Sequence, residues 1–223
     1  MSGFILKLIA AVTMLIDHAG LMLFPGEGWM RTVGRLAFPL FAFCIAEGFM
    51  YTRSRLKYFL RLFVLGLGCQ LVYWYVDHDP LLGILITFSI SILLMWLLDR
   101  VKTAFREDSP HSGIWAAAFV LALAAVCIFC LYVEVDYGLF GILVPVCISL
   151  FEDKNHRLAA MASALLLMCA ADGVIYRQWW CLAAVPIAAL YNGKPGKFRM
   201  KYFFYIFYPV HLVLLQGIAM LFK

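Results

Sequence analysis

Long apolar runs alternate with short polar segments along almost the whole chain. Each run approaches the ~20 residues that an α-helix needs to cross the ~30 Å hydrocarbon layer of a membrane. The pattern predicts nine transmembrane helices, at Phe4–Phe24, Val33–Met50, Tyr58–Tyr75, Leu81–Leu98, Ile114–Val133, Tyr137–Phe151, Leu158–Val174, Trp179–Tyr191 and Tyr202–Phe222. The sixth and eighth runs are short enough to be tilted, interfacial or re-entrant, so the predicted range is about eight to ten spans.

Composition supports a membrane protein and excludes a water-soluble one. Of the 223 residues, 65% are hydrophobic and 14% are charged, and the mean hydropathy is +0.92. Soluble domains are only about 45–50% apolar. The first run lacks a small-residue cleavage site and is expected to remain as a helix rather than a removed signal peptide. We therefore expect an all-α, polytopic helix bundle that forms a single transmembrane domain over residues 1–223.

Basic residues are distributed unevenly between alternate loops, which predicts the orientation of the chain. Lys and Arg are held back in cytoplasmic loops. Of the 18 basic residues, only Arg31, Arg177 and Lys223 fall on one predicted side, whereas most of the others fall on the opposite side, around residues 53–61, 100–106, 154–157 and 194–201. The N-terminus is therefore predicted to be cytoplasmic. Because topology accounts for the net charge of +5, no nucleic-acid partner is expected.

The first predicted helix contains three ionisable residues, Lys7, Asp17 and His18. A charge at mid-membrane costs at least ~2.5–3.5 kcal/mol, so such residues usually pair or line a cavity. Lys7 and His18 are eleven residues apart and share a helix face, with His18 about 16 Å further along the axis. A purely structural interpretation also fits, in which Lys7 extends to the interface and His18 only forms hydrogen bonds.

The second predicted helix contains Arg35 near its outer end and Glu47 near its inner end. Counting residues from the boundaries places Arg35 at the depth of Asp17 and Glu47 at the depth of Lys7. We therefore expect two ion pairs, Asp17 with Arg35 and Lys7 with Glu47, because paired burial is the least costly way to keep charges in lipid. These pairs either lock two helices together or serve chemistry around His18.

The last predicted helix contains a second intramembrane histidine, His211, behind Pro209. The proline removes one backbone hydrogen bond and can open space for water or substrate around the imidazole. Tyr205 and Tyr208 supply hydroxyl groups nearby. A catalytic and a structural role for His211 both remain open. Weaker polar candidates are Gln70, Thr87, Ser89, Ser91 and Asp172, which often only join helices.

Four phrases in order, LKLIAAVTMLIDHAG, VGRLAFPLFAFCIAEGFMYTRSRLKYFLRL, DYGLFGILVPV and FYIFYPVHLVLL, together resemble the TraX family over nearly the whole chain. That family is named for the acetylase of conjugative F-type pilin. The first two phrases also resemble, remotely, the integral membrane acyltransferase superfamily. Lys7 stands where that superfamily has an arginine, and the phrase from Phe43 to Phe49 differs from its usual motif.

The resemblance implies acetyl transfer from acetyl-coenzyme A to an acceptor, either a protein N-terminus such as that of pilin or a cell-surface glycan, at the outer face of the bacterial cytoplasmic membrane. His18 would act as a base or be acylated itself, with Asp17, Arg35 and His211 around it. The donor would meet Lys7, Glu47 and the basic loop residues Arg53, Arg55, Lys57 and Arg61. No metal is expected.

Two other classes of function remain open. A proton-coupled transporter could use His18 and Asp17 as a relay, although the sequence has no internal repeat and no matched pair of broken helices. A non-catalytic assembly factor for pili or conjugation machinery would use the same intramembrane charges only to bind partner helices.

Overall fold

The computed structural model of the protein describes residues 1–77, 81–171, 177–196 and 201–221, without the side chains of residues 73, 75–77 and 201–205. Within these ranges the chain forms helices and turns and no β-strand, which confirms the all-α class. The helices are α1 (Gly3–Met22), α2 (Gly28–Gly34), α3 (Ala37–Tyr51), α4 (Arg55–Asp77), α5 (Ile84–Arg106), α6 (Ser112–Tyr132), α7 (Gly138–Ser149), α8 (Lys154–Ala171), a 3₁₀ turn (Gln178–Ala183), α9 (Ala184–Ala189) and α10 (Lys201–Leu221).

Every predicted apolar run overlaps a helix in the described residues. Four segments are both long and apolar enough to cross a membrane, namely Gly3–Met22, Gly28–Tyr51, Ile84–Arg106 and Ser112–Tyr132. Three apolar helices are shorter: Gly138–Ser149, Gln178–Ala189 and Ile206–Leu221. The total number of spans and the cytoplasmic N-terminus stay predictions. Asp172 and the side chain of Tyr205, both named as candidates, lie outside what is described.

The second apolar run is interrupted, where the sequence predicts one helix over Val33–Met50. Residues 35 and 36 form a turn between α2 and α3. Pro39 explains the break, because its ring has no N–H and clashes with the carbonyl four residues earlier, that of Arg35. The chain tightens there instead, since the N–H groups of Arg35 and Leu36 each bond to a carbonyl three residues back at 3.2 Å. The break places the Arg35 side chain at a helix end.

The chain divides into two compact units. The first unit comprises Met1–Cys44 and Phe151–Lys223, and the second comprises Ile45–Leu150. In the first, α1 packs against α2 and α10, while α8 packs against the 3₁₀ turn and α9. In the second, α5 is central and packs against α4, α6 and α7. The expectation of one domain over residues 1–223 stays a prediction.

Hydroxyl and amide groups of the second unit mostly satisfy backbone groups. The Ser91 hydroxyl donates to the carbonyls of Thr87 at 3.1 Å and Ile142 at 2.8 Å. The Ser89 hydroxyl donates to its own helix at 2.7 Å. Gln70, about two turns before the end of α4, bonds to the Leu81 carbonyl and the Gly83 N–H just before α5. Gln70, Ser89 and Ser91 thus make structural hydrogen bonds, as buried polar groups without a partner are costly.

Candidate active site

Two histidines from opposite ends of the chain meet in the first unit. Nδ1 of His18 on α1 lies 2.7 Å from Nε2 of His211 on α10. The rings are nearly parallel, at 20°, with centroids 5.0 Å apart, the arrangement expected for two imidazoles joined edge to edge. His211 is 3% exposed, and His18 is partly buried. The sequence analysis placed both residues around one site, and the direct hydrogen bond between them is what the structure adds.

The backbone fixes which nitrogens carry hydrogen in this pair. Nδ1 of His211 lies 2.8 Å from the carbonyl oxygen of Phe207, one turn earlier on α10. A carbonyl only accepts, so Nδ1 of His211 must donate. Its Nε2 is then an acceptor in the neutral ring, and Nδ1 of His18 must donate to it. This leaves Nε2 of His18 with an unprotonated lone pair, which is the form that a general base requires.

Aromatic side chains hold His211 in place. The Phe207 ring lies parallel to it, with centroids 4.9 Å apart at 10°, and Tyr208 meets it edge-on at 5.8 Å. Aromatic contacts of this kind restrict the ring to one orientation. His211 therefore behaves as a fixed support for His18 rather than as a mobile group.

Asp17, the neighbour of His18, pairs with Arg31 and not with Arg35. Nη1 of Arg31 on α2 donates to Oδ2 of Asp17 at 2.6 Å, and the two side chains are 24% and 16% exposed. The predicted ion pair of Asp17 with Arg35 is thus corrected to Asp17 with Arg31, although Arg35 still lies within electrostatic reach of the carboxylate. Arg31 had been counted only as a loop charge. It lies four residues before Arg35 on one helical face, a spacing that makes both arginines candidates for the same partner.

Arg35 instead contacts Gln178, a residue that sequence reasoning missed. Nη1 of Arg35 donates to Oε1 of Gln178, at the start of the 3₁₀ turn, at 3.2 Å. Since arginine can only donate, the amide oxygen must face it and the amide nitrogen must point elsewhere. Gln178 is 6% exposed. Among the described residues, neither its Nε2 nor Nε of Arg35 has a hydrogen-bond partner.

Two glycines allow α1 and α2 to approach closely enough to form this arrangement. A side chain at Gly34 would overlap the Asp17 carboxyl group, and one at Gly20 would come within 2.6 Å of Met30. Glycine is the residue that permits such close backbone approach. The packing also explains why Oδ1 of Asp17, which is buried, has no hydrogen-bond partner in the described ranges. Gly34 covers it.

These contacts define one polar cluster in the first unit. Arg31 lies within electrostatic reach of His18 as well as bonding to Asp17. The polar cluster consists of Asp17, His18, Arg31, Arg35, Gln178 and His211. It combines an imidazole whose Nε2 is unprotonated, two guanidinium groups and two buried N–H groups that have no hydrogen-bond partner among the described residues. In the part of the chain that is described, no group of three or more His, Cys, Asp or Glu side chains is placed to hold a metal ion.

The remaining predicted residues divide between the two units. Lys7 is partly buried on α1 in the first unit, and Glu47 is buried on α3 in the second. Their pairing stays a prediction. In the second unit, Arg53 and Lys57 are exposed and Arg61 is partly buried. Arg55 is already engaged, since its Nη1 donates to Asp99 at 2.5 Å and its guanidinium lies 4.9 Å from the Phe49 ring. Arg55 is thus the weakest of the four as a phosphate ligand.

Comparisons with known proteins agree over nearly the full length. A family model described as TraX protein matches residues 2–219. The "Probable fimbrial assembly protein FimC, serogroup H1" of Dichelobacter nodosus is 29% identical over 98% of this chain and 96% of its own. "Protein TraX" of Escherichia coli is 29% identical over 97% of this chain and 86% of its own. An uncharacterized protein of Rickettsia prowazekii is 44% identical over 69% of this chain and 58% of its own. No solved structure matches.

Proposed function

We propose that this chain, which belongs to the TraX family, is a membrane-embedded acetyltransferase that moves an acetyl group from acetyl-coenzyme A to an amino group at the outer face of the bacterial cytoplasmic membrane. The observation that carries the proposal is the bond between His18 and His211, which leaves Nε2 of His18 as an unprotonated base. The alternative acceptor is a hydroxyl group of a surface glycan, which needs the same base.

His18 is proposed to remove the proton of the acceptor as the new bond forms. The acceptor nitrogen bonds to the carbonyl carbon of the acetyl group, the carbon–sulfur bond breaks, and the proton taken by Nε2 of His18 passes to the departing sulfur. His211 keeps Nδ1 of His18 engaged throughout and shares the positive charge of the protonated ring. A positioned base of this kind typically contributes about 10²–10⁴-fold in rate.

Arg35 and Gln178 are proposed to stabilise the carbonyl oxygen as it gains negative charge. Nε of Arg35 and Nε2 of Gln178 are buried donors without partners among the described residues. Donors that are held in place before the reaction, in a site with little water, are typically worth ~2.7–4 kcal/mol each in acyl transfer. The ion pair of Asp17 with Arg31 ties the last turn of α2 to α1, and Arg35 directly follows that turn.

The residues present fit the proposed donor, since spare buried N–H groups suit a thioester carbonyl. Acetyl-coenzyme A supplies an acetyl group that is already activated as a thioester. Lys7, partly buried about 16 Å from His18 along α1, would bind a phosphate as a point charge. We propose the exposed Arg53 and Lys57 and the partly buried Arg61 as further phosphate ligands, ahead of Arg55.

The name of the Dichelobacter relative describes a fimbrial assembly protein. On that ground we propose a pilus or fimbrial subunit as the acceptor, through its amino terminus. The same name also favours a second candidate, an assembly factor without catalytic activity, in which the polar cluster only binds partner helices. Spare donors and an unprotonated imidazole nitrogen favour the enzyme, because a purely structural cluster has no need of either.

The experiment that tests the proposal uses the full chain in lipid nanodiscs. The protein is incubated with isotopically labelled acetyl-coenzyme A and a synthetic peptide that carries a free amino terminus and no lysine, and the products are followed by mass spectrometry. We expect labelled acetyl on the peptide after reaction with wild type and about 10²–10⁴-fold slower labelling with a His18→Ala variant. A peptide whose amino terminus is blocked should carry no label. If the folded wild type transfers no label to any amine or hydroxyl acceptor, the assembly function is favoured instead.

A further inference from the structure

A groove on the surface of the second unit, far along the sequence from the polar cluster, has the features of a ligand site. It lies between α5 and α6, has a volume of about 310 Å³, and is lined by Leu93, Trp96, Leu97, Arg100 and Trp115. The lining thus combines apolar side chains, two indole rings and one cation. None of these residues belongs to the polar cluster or to the residues proposed to bind acetyl-coenzyme A.

Arg100 is the charged member of the groove, and its charge is unmatched by a carboxylate in the described residues. Its guanidinium lies 5.8 Å from the Trp115 ring, within the range of a cation–π contact. Neighbouring cations of the same unit are used differently. Arg55 pairs with Asp99, and Lys102 donates to the carbonyls of Ser149 and Leu150, each at 2.7 Å. The planar fork of an arginine suits bidentate bonding to a phosphate.

The surroundings of the groove point to lipid. No residue of α6 is buried, so this apolar helix must be covered by hydrocarbon in the membrane. Trp96 and Trp115 line the groove together with Arg100, and tryptophan is concentrated at the headgroup level of membranes. The sequence predicts that this end of α5, which also carries Lys102 and Arg106, is cytoplasmic. Anionic lipids give that face of the membrane its negative potential, and basic pockets between helices there bind their headgroups.

We propose that the groove between α5 and α6 is a specific site for an anionic phospholipid, with the phosphate on Arg100, the glycerol region against the two tryptophans and one acyl chain along Leu93 and Leu97. The bound lipid lies across the surfaces of α5 and α6, which also pack against each other directly. This proposal does not depend on the acetyltransferase function.

Native mass spectrometry of the full chain in a neutral detergent tests the site. The protein is titrated with phosphatidylglycerol or, in parallel, with phosphatidylcholine of the same acyl chains. We expect wild type to retain phosphatidylglycerol preferentially, and Arg100→Gln to weaken that binding roughly fivefold, in line with the contribution of one cation near an anionic surface. Arg106→Gln removes the same charge from the same helix outside the groove and is expected to leave the preference unchanged.

Two further variants keep the test decisive if Arg100→Gln does not fold. Arg100→Lys retains the charge without the planar fork and should weaken binding less, while Trp115→Leu retains an apolar lining and should weaken both lipids. Equal binding by all groove variants and wild type would overturn the proposal. Displacement of the lipid by soluble glycerol 3-phosphate alone would also overturn it and would assign the groove to a free phosphate. Thermal stability that rises with protein concentration and not with added lipid would overturn it too and would assign the groove to a second copy of the chain.

Discussion

The two ends of α1 in the first unit differ in the kind of hydrogen bond that surrounds them. At the end near His18, the polar cluster is built from side chains that bond to other side chains, and two buried N–H groups have no partner among the described residues. At the other end, Gly3 and Phe4 donate backbone hydrogen bonds to the carbonyls of Lys194 and Pro195. Lys154 donates to the carbonyls of Ala189 and Tyr191, both at 2.6 Å. We call this second region the basic end.

Positive charges at the basic end hold neighbouring chain segments together. Lys154 bonds to carbonyls at the end of α9, where a cation is favoured by the helix dipole. The buried Arg157, 4% exposed, lies 5.1 Å from the Phe43 ring, which in turn meets Tyr191 edge-on. The comparison teaches that a buried charge alone does not identify a functional site. The feature that separates the polar cluster from the basic end is the pair of histidines, which leaves Nε2 of His18 unprotonated beside fixed positive charge.

Removal of the proposed base should have the greatest effect on the rate. His18→Ala is expected to lower the rate of acetyl transfer by about 10²–10⁴-fold, the usual contribution of a positioned general base, while the protein still inserts and binds acetyl-coenzyme A. Turnover is measured by mass spectrometry of the acceptor peptide, and binding by calorimetry. An unchanged rate in a well-folded variant would contradict the role of His18.

His211 is expected to have a smaller effect, because it orients His18 without touching the acceptor. His211→Leu should lower the maximal rate roughly 10–100-fold, as loss of a supporting hydrogen-bond partner typically does, with little change in KM. His211→Gln offers an amide oxygen to Nδ1 of His18 and should recover part of the rate. Equal rates for the leucine and glutamine variants would show that the hydrogen bond to His18 does not matter.

Close packing of α1 on α2 gives the next prediction. Gly34→Ala places a methyl group against the Asp17 carboxyl group, and overpacking of this kind typically costs about 1–3 kcal/mol. We expect lower thermal stability together with a lower rate per folded molecule, because Arg35 moves with α2. Gly217→Ala on α10 is the matched control, since a Cβ there meets nothing within 4 Å, and it should change neither property.

The basic end should show the smallest effect, confined to stability. Lys154→Met removes two hydrogen bonds to backbone carbonyls, and each such bond is worth roughly 0.5–1.5 kcal/mol. Thermal unfolding in detergent should move to lower temperature, while the rate per folded molecule stays at the wild-type value. A selective loss of rate without loss of stability would mean that the two ends of α1 are not as different as their contacts indicate.

Sequence patterns predicted the helical class and nearly all helix positions, because membrane insertion requires long apolar runs and leaves a direct record in the sequence. The break between α2 and α3 was not predicted, although Pro39 is the sequence signal that accounts for it. The sixth predicted run, Tyr137–Phe151, was identified as short, and α7 within it has 12 residues. The pattern does not determine the number of spans. The helices α4 and α8 begin with several charged residues, and charges are costly inside a membrane, so the length that lies in the membrane is not fixed by the pattern.

The site was predictable by residue type and much less by partner. Asp17, His18, Arg35 and His211 were identifiable because ionisable residues in apolar runs are costly. Arg31 was missed because a residue beside a predicted boundary resembles a loop charge. Gln178 was missed because nothing in its own segment shows that Arg35, 143 residues away, would reach it. Likewise, the bond between His18 and His211 joins positions 193 residues apart, a contact that local periodicity cannot reveal.

The most direct test of the central claim is chemical rescue of His18→Ala with imidazole. If Nε2 of His18 acts as the base, free imidazole that enters the vacated space should restore acetyl transfer in proportion to its concentration. A His18→Leu variant, in which the space is filled, should show little rescue, and wild type should be unaffected. A folded His18→Ala protein that binds acetyl-coenzyme A yet transfers acetyl at the wild-type rate without imidazole would contradict the claim.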